Sequence, residues 1–277
     1  MNNYKNQPKN HAFSRNNNYE NDNFPRKKKA LGQHFLRKQS VVDNMINKVQ
    51  VSENSTILEI GCGDGFLTQA ILRQTKCKNL FSYEIDKEWA DFVRERIRDK
   101  RLSVVEQNIL EVELENHREQ IPLTLLANLP YQITFPIFFM LVKNKNLFAE
   151  GVVMIQEEVA QKMVAKRGKS HNSTTIFLQH HFELELMEKI EPQAFDPAPK
   201  VFSRLIYFKP KNEVLTISDQ ENFWKFLKLC FKQPRRTLRN NLQVTPFDLT
   251  KFSEQFLASR AQQLTINDFI SEWQKLI

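Results

Sequence analysis

An apolar, β-forming run that ends in a glycine-rich turn, Leu58-Glu59-Ile60-Gly61-Cys62-Gly63-Asp64-Gly65, restricts the fold of this chain more than any other segment. Glycines let a backbone come close to a ligand, and the helical stretch opening at Phe66 offers unpaired amides at its start. Strand, turn and helix in this order form half of a parallel crossover unit, and the pattern recurs downstream. Apolar β-rich runs at 56–60, 80–83, 102–105, 123–127 and 152–155 alternate with helical periodicity at 66–73, 87–98, 135–142 and 157–165. Further strands are expected near 182–190 and 204–208. Residues 25–210 therefore read as an α/β domain with a Rossmann-like, largely parallel sheet.

The flanks have other characters. Residues 1–24 are polar and Asn-rich, with too little to bury, and are expected to form a disordered tail. Beyond Pro210 the periodicity becomes wholly helical, at 219–232, 234–242, 246–258 and 265–276, with Ser218, Thr245 and Thr265 placed to cap three of the starts. Residues 211–277 thus read as a small helical domain.

Spacing narrows the ligand of the turn. A dinucleotide site has the pattern GxGxxG, whereas here the third glycine comes early, at Gly65, and Phe66 fills the remaining slot. The lysine and hydroxyl of a triphosphate loop are missing as well. A phosphate-free nucleoside cofactor, S-adenosylmethionine, remains. Glu84 ends the next strand about twenty residues on, where a carboxylate can take both ribose hydroxyls. Asp86 reads as a solvated charge, and Asn108, after the third strand, flanks the adenine.

The fourth strand ends in Asn128-Leu129-Pro130-Tyr131, and ligands of open α/β sheets bind at such ends. An amine awaiting methylation needs its lone pair aimed, so acceptors that hold its hydrogens suffice. Asn128 supplies one carbonyl, the Leu129-Pro130 backbone supplies another, and Tyr131 offers a ring on which a flipped base can stack.

The net charge is +8, with Lys and Arg concentrated at 26–29, 162–169 and 232–239. A polyanionic partner and an idle basic surface both satisfy charge alone. The apolar stretch 121–142 is broken by Asn128, Pro130, Gln132 and Pro136, so it is expected to be strand, turn and helix, with no membrane span. Cys62, Cys77 and Cys230 have neither CxxC spacing nor companion histidines, which points away from disulfides and zinc and toward a reducing cytoplasm. His180-His181 reads as a strand edge, and no metal is expected.

Taken together, Gln33-His34-Phe35-Leu36, the Glu59 to Gly65 turn, Tyr83-Glu84-Ile85-Asp86 and Asn128-Leu129-Pro130-Tyr131 resemble the ribosomal RNA adenine dimethyltransferase family, over a span from about Lys28 to the C-terminus. The resemblance implies a class I methyltransferase sheet that binds S-adenosylmethionine, with His34 and Leu36 at the methionine end, Gly61 in the turn, Glu84 on the ribose, Asn108 on the adenine and Asn128 at the transfer site. Phe195-Asp196-Pro197-Ala198-Pro199-Lys200-Val201-Phe202-Ser203 is similar to the family's base-holding loop, which implies Phe195 as a second stacking ring beside Tyr131. Asn108 stands where the family usually has Asp, His34 where Asn is frequent and Cys62 where Pro is common; Cys62 is taken as a buried filler. The segment 169–175 also departs from the expected aromatic-Gly pattern.

Phe231 to Leu242 and Ser259 to Leu264 are similar to the members that modify two adjacent adenosines of small-subunit (16S) rRNA. Arg235, Arg236 and Arg239 are expected to share a helix face that contacts phosphates, with 26–29 as a mobile basic arm. The expected partner is that RNA or the assembling small subunit, and the expected state a monomer. Two alternatives stay open: a large-subunit dimethyltransferase of the macrolide-resistance type, and an assembly factor with weak catalysis.

Overall fold

A computed structural model describes residues 24–28 and 31–277; the expected tail lies outside them except for Phe24, as does Lys29. The chain begins with a short strand β1 (Phe35–Leu36) and helix α1 (Gln39–Lys48), then alternates β2 (Thr56–Ile60), α2 (Phe66–Gln74), β3 (Asn79–Glu84), α3 (Lys87–Arg96) and β4 (Leu102–Glu106). It continues with β5 (Leu123–Asn128), α4 (Thr134–Lys143), β6 (Phe148–Gln156), α5 (Glu157–Val164), α6 (Ser173–His181), β7 (Phe182–Ile190), β8 (Phe195–Asp196) and β9 (Ser203–Pro210).

Seven strands form one sheet in the order β4-β3-β2-β5-β6-β9-β7, parallel except for β9, which runs antiparallel to both neighbours. All five residues of β2 are buried, as a strand covered on both faces requires. Alternation sorts their side chains: Leu58, Ile60, Leu125 and Ala127 pack with Phe138 of α4 and Met163 of α5, whereas Ile57 and Leu126 pack with Val41 of α1 and Ile71 of α2. Sheet growth reverses between β2 and β5, so a crevice opens at their carboxyl ends. β1 and β8 pair separately as a two-stranded ribbon that no periodicity announced.

Four helices follow: α7 (Gln220–Cys230), α8 (Leu238–Leu242), α9 (Glu254–Ala258) and α10 (Ile266–Trp273). Phe223, Phe226, Leu238, Phe256, Phe269 and Trp273 build their core, and Ile176 of α6 joins it. Two of these helices are much shorter than their periodicity suggests. Residues 231–237 form turns because the buried Asn241 amide accepts from Gln233 N at 2.9 Å and donates to Gln233 O and Thr237 O at 3.1 and 3.3 Å. Likewise, α9 starts only at Glu254, capped by the Ser253 hydroxyl on Phe256 N. Thr265 does cap α10 through a reciprocal capping box, whereas the Thr245 hydroxyl donates back to Leu242 O and Ser218 accepts from Trp273 Nε1.

His180 and His181 do not sit at a strand edge. They end α6, a helix started by an Asn172–Thr175 capping box, and are buried against Trp224 of α7. Burial lowers both imidazoles to about 4, so they are neutral packing groups. No described helix is long and apolar enough to cross a membrane.

Asn241→Ala should remove three hydrogen bonds to a turn otherwise closed by Arg236 N donating to Gln233 O, and cost about 2 kcal/mol. A urea melt measures it; a loss under about 0.5 kcal/mol would mean the turn is held by other contacts.

Candidate active site

The crevice has two lobes that share Leu31, Gly61, Glu84, Ile85 and Pro130. His34, Leu36, Asn128, Leu129 and Tyr131 line one, and Asn108, Leu110 and Ile133 line the other. Local geometry explains the glycines. Gly61 takes φ +77°, and a Cβ there would meet nothing within 4 Å, so its demand is conformational. At Gly63 a Cβ would stand 2.6 Å from the Phe35 ring, so β1 lies directly on the turn.

Glu84 ties the turn to the end of β3. One carboxylate oxygen accepts from Gly63 N and the other from Asp86 N, each at 3.0 Å. Burial pushes the Glu84 carboxyl above its ordinary value, and those two amides oppose the rise. Spare lone pairs remain for two hydroxyls at the junction of the lobes. In the second lobe Ile85 (54% exposed) and Leu110 (38% exposed) present bare apolar surface suited to a flat base. Among the described residues no Lys or Arg lines either lobe, as suits a ligand without phosphates. This donor set fits S-adenosylmethionine, with the nucleoside beside Ile85 and Leu110, the ribose at Glu84 and the methionine end toward His34.

At the carboxyl end of β5, Asn128 Nδ2 donates to His34 O at 2.9 Å. That bond fixes the amide, and its Oδ1 accepts no hydrogen bond among the described residues. The Tyr131 hydroxyl is 2.7 Å from Ser203 Oγ, and its ring stacks on His34 at 5.9 Å between centroids. His34 is itself held by Nδ1 donating to Pro197 O at 2.7 Å.

The sequence profile of the ribosomal RNA adenine dimethylase family matches residues 24–276. The chain belongs to this family. It is 35% identical over 225 residues to the ribosomal RNA small subunit methyltransferase A of Mycoplasma mobile, covering 81% of this chain and 85% of that one. It is 34% identical over 243 residues to the protein of the same name from Prosthecochloris aestuarii, covering 87% and 91%. Among solved structures, a dimethyladenosine transferase from Plasmodium falciparum superposes with TM-score 0.74 at 23% identity, covering 86% of this chain and 96% of that one. The 23S rRNA methyltransferase ErmE superposes with TM-score 0.70 at 22% identity, covering 87% and 99%. These two confirm the fold, and membership of the family makes the chain an S-adenosylmethionine-dependent methyltransferase.

Several dimethylase residues lie elsewhere than the sequence suggests. Phe195 is only 5% exposed and packs with Leu36 and Ala194 in the core, so it offers no ring face for a base. Asp86 is buried and structural: it caps α3, pairs with Lys28 at 2.7 Å and accepts from Gln33 Nε2. The described part of the basic segment, 26–28, is fastened by that pair and by Lys27 to Asp196 at 2.7 Å, which conflicts with a mobile arm there. Arg235 and Arg236 are exposed on the turn before α8; only Arg239 is helical, and it pairs with Glu254 at 2.5 Å. Cys62 is buried with its thiol pushed well up by desolvation, an inert filler.

Two acids were missed. Glu111 accepts from Asn108 Nδ2 at 2.8 Å, while Asn108 Oδ1 caps Leu110 N at 3.1 Å. The charge absent from position 108 is therefore present one turn on, relayed through the amide. Glu59, wholly buried in β2, has one oxygen bonded by Thr68 Oγ1 at 2.7 Å and the other without a partner. A lone carboxylate inside an apolar strand was the signal for it.

Asn108→Asp should weaken S-adenosylmethionine binding several-fold, because it replaces an amide donor with a second carboxylate facing Glu111; the double variant with Glu111→Gln should recover it. Calorimetric titration decides, and tighter binding by the single variant would sink the relay. Desolvation raises the Glu59 carboxyl to about 7, so its favourable contribution is complete below pH 4.5 and is lost as pH rises to about 7. Glu59→Gln should therefore gain stability relative to wild type between pH 5 and 8, by up to about 3 kcal/mol, read as a widening difference in Tm; a pH-independent difference would refute the burial argument.

Proposed function

We propose that this protein transfers methyl groups from S-adenosylmethionine to the N6 amines of two adjacent adenosines near the 3′ end of small-subunit (16S) rRNA, giving N6,N6-dimethyladenosine during small-subunit biogenesis. The observation that carries the chemistry is the Asn128 amide, whose donor side is taken by His34 O while its carbonyl is left to accept. The names of the relatives from Mycoplasma mobile and Prosthecochloris aestuarii favour the small subunit over the large.

Bound S-adenosylmethionine supplies an electrophilic methyl group on a sulfonium. The protein's part is to aim the acceptor. Asn128 Oδ1 and one backbone carbonyl of the Leu129-Pro130 turn accept the amine's two hydrogens and turn its lone pair toward that methyl. Burial raises the Tyr131 phenol, which stays neutral and hydrogen-bonded to Ser203, so the ring is a rigid stacking surface. After transfer the nitrogen carries a positive charge and sheds a proton, which restores a lone pair for a second round.

Glu84, Gly61, Leu36 and His34 hold the cofactor, and Arg235 and Arg236 contact phosphates outside the crevice. We place the enzyme in the cytoplasm as a monomer; its three cysteines are free and buried.

Labelled S-adenosylmethionine incubated with unmodified small subunits should yield dimethyladenosine, and Asn128→Ala should cut the rate roughly 100-fold beyond any change in cofactor affinity. Transfer only to large-subunit RNA would move the enzyme to the macrolide-resistance group; binding of subunits without transfer would make it an assembly factor. Replacing Arg235 and Arg236 together by Ala should weaken RNA binding and reduce its salt slope by about 2, leaving cofactor binding intact. An unchanged slope would remove both residues from the interface.

A further inference from the structure

Burial of Phe195 leaves open which other aromatic meets the RNA near the target. Among the described residues, Phe24, Phe139 and Phe202 are the phenylalanines with large exposure, at 55%, 46% and 43%. Phe24 lies on Phe92 and Phe139 on Phe177, at 5.0 and 5.7 Å between centroids. Phe24 also has the Arg96 guanidinium over its ring at 5.3 Å, whereas Phe202 meets a cation alone: Lys189 Nζ stands 4.1 Å from its ring centre, with no aromatic partner among the described residues.

Its place in the fold is informative. β9 opens at Ser203, opposite Gln156 and Ile190, the last residues of β6 and β7. Phe202 therefore stands at the edge of the sheet to which β5 delivers Asn128. Three bonds fix the loop around it to the site: Pro197 O accepts from His34, Phe202 O accepts from Glu157 N at 2.9 Å, and Ser203 Oγ bonds the Tyr131 hydroxyl. Of the carboxylates in this region, Glu157 pairs with Arg204 and Asp196 with Lys27. Lys189 and Lys200 are exposed and make no ion pair among the described residues, and Val201 is exposed at 43%.

We infer that Phe202, with Lys189 over its ring and Lys200 and Val201 beside it, is a stacking platform for an unpaired nucleotide flanking the target adenosine. A base stacks on an aromatic face whatever its identity, and an ammonium beside the ring meets the adjoining phosphate. An apolar ring in water at the rim of a catalytic crevice, flanked by spare cations, matches single-stranded RNA in both respects. The platform rests on the substrate proposed above and extends it from the reacting base to its neighbour.

The test compares the full-length protein with Phe202→Ala, Phe202→Trp and Lys189→Ala, measuring methylation of unmodified small subunits, affinity for protein-free small-subunit RNA, and cofactor affinity by calorimetry. Phe202→Ala should raise KM for subunits roughly tenfold, with kcat and cofactor affinity within about twofold and RNA affinity falling in parallel. Phe202→Trp should restore KM, and Lys189→Ala should lower the salt slope. An unchanged KM in Phe202→Ala, beside normal transfer by wild type, overturns the platform alone. A raised KM without loss of RNA affinity assigns Phe202 to a protein contact and overturns it too. Absence of transfer by wild type removes the substrate reading and the platform with it.

Discussion

The carboxylate of Glu84 is the constraint on which the site depends. It is buried, it accepts amides from two different loops, and in doing so it joins the glycine turn after β2 to the start of α3. A carboxylate in that position would be costly without those amides, and beside the Gly61 N to Tyr83 O bond it gives the turn a second tie to the end of β3. Each solves the other's problem, and the carboxylate is held at the junction of the two lobes. Phe35 then closes over Gly63, and a side chain at that glycine would push the covering strand away.

The acceptor half of the crevice is organised by different means. Asn128 is presented by a central strand buried on both faces, so its backbone is as rigid as the core. Its side chain takes direction from outside the sheet, through His34, and His34 is held in turn by the loop at Pro197. Cofactor residues, acceptor and the loop leading to β9 form one hydrogen-bonded chain.

The sheet was legible in the sequence because parallel strands buried on both faces are continuous apolar runs, and the glycine turn carries its own signature. Within the crevice, His34, Gly61, Glu84, Asn108 and Asn128 could be chosen because strand ends and turns fix where such residues point. What the sequence concealed depends on contacts far apart in the chain. The β1–β8 ribbon has two residues per strand, too few for any period. Phe195 looked available until that ribbon buried it. Arg235 and Arg236 lost their helix to the side chain of Asn241, which competes for the same backbone groups. Glu111 sets a carboxylate on the Asn108 amide, a contact visible only once both side chains occupy one turn.

The bond from Asn128 to His34 O spans 94 positions of the chain. The direction of the Asn128 amide is thus inherited from a segment that contributes nothing to the seven-stranded sheet. A chain trimmed behind Leu36 would keep every strand of that sheet, the glycine turn and the Asn128 side chain itself, and would have lost its aim.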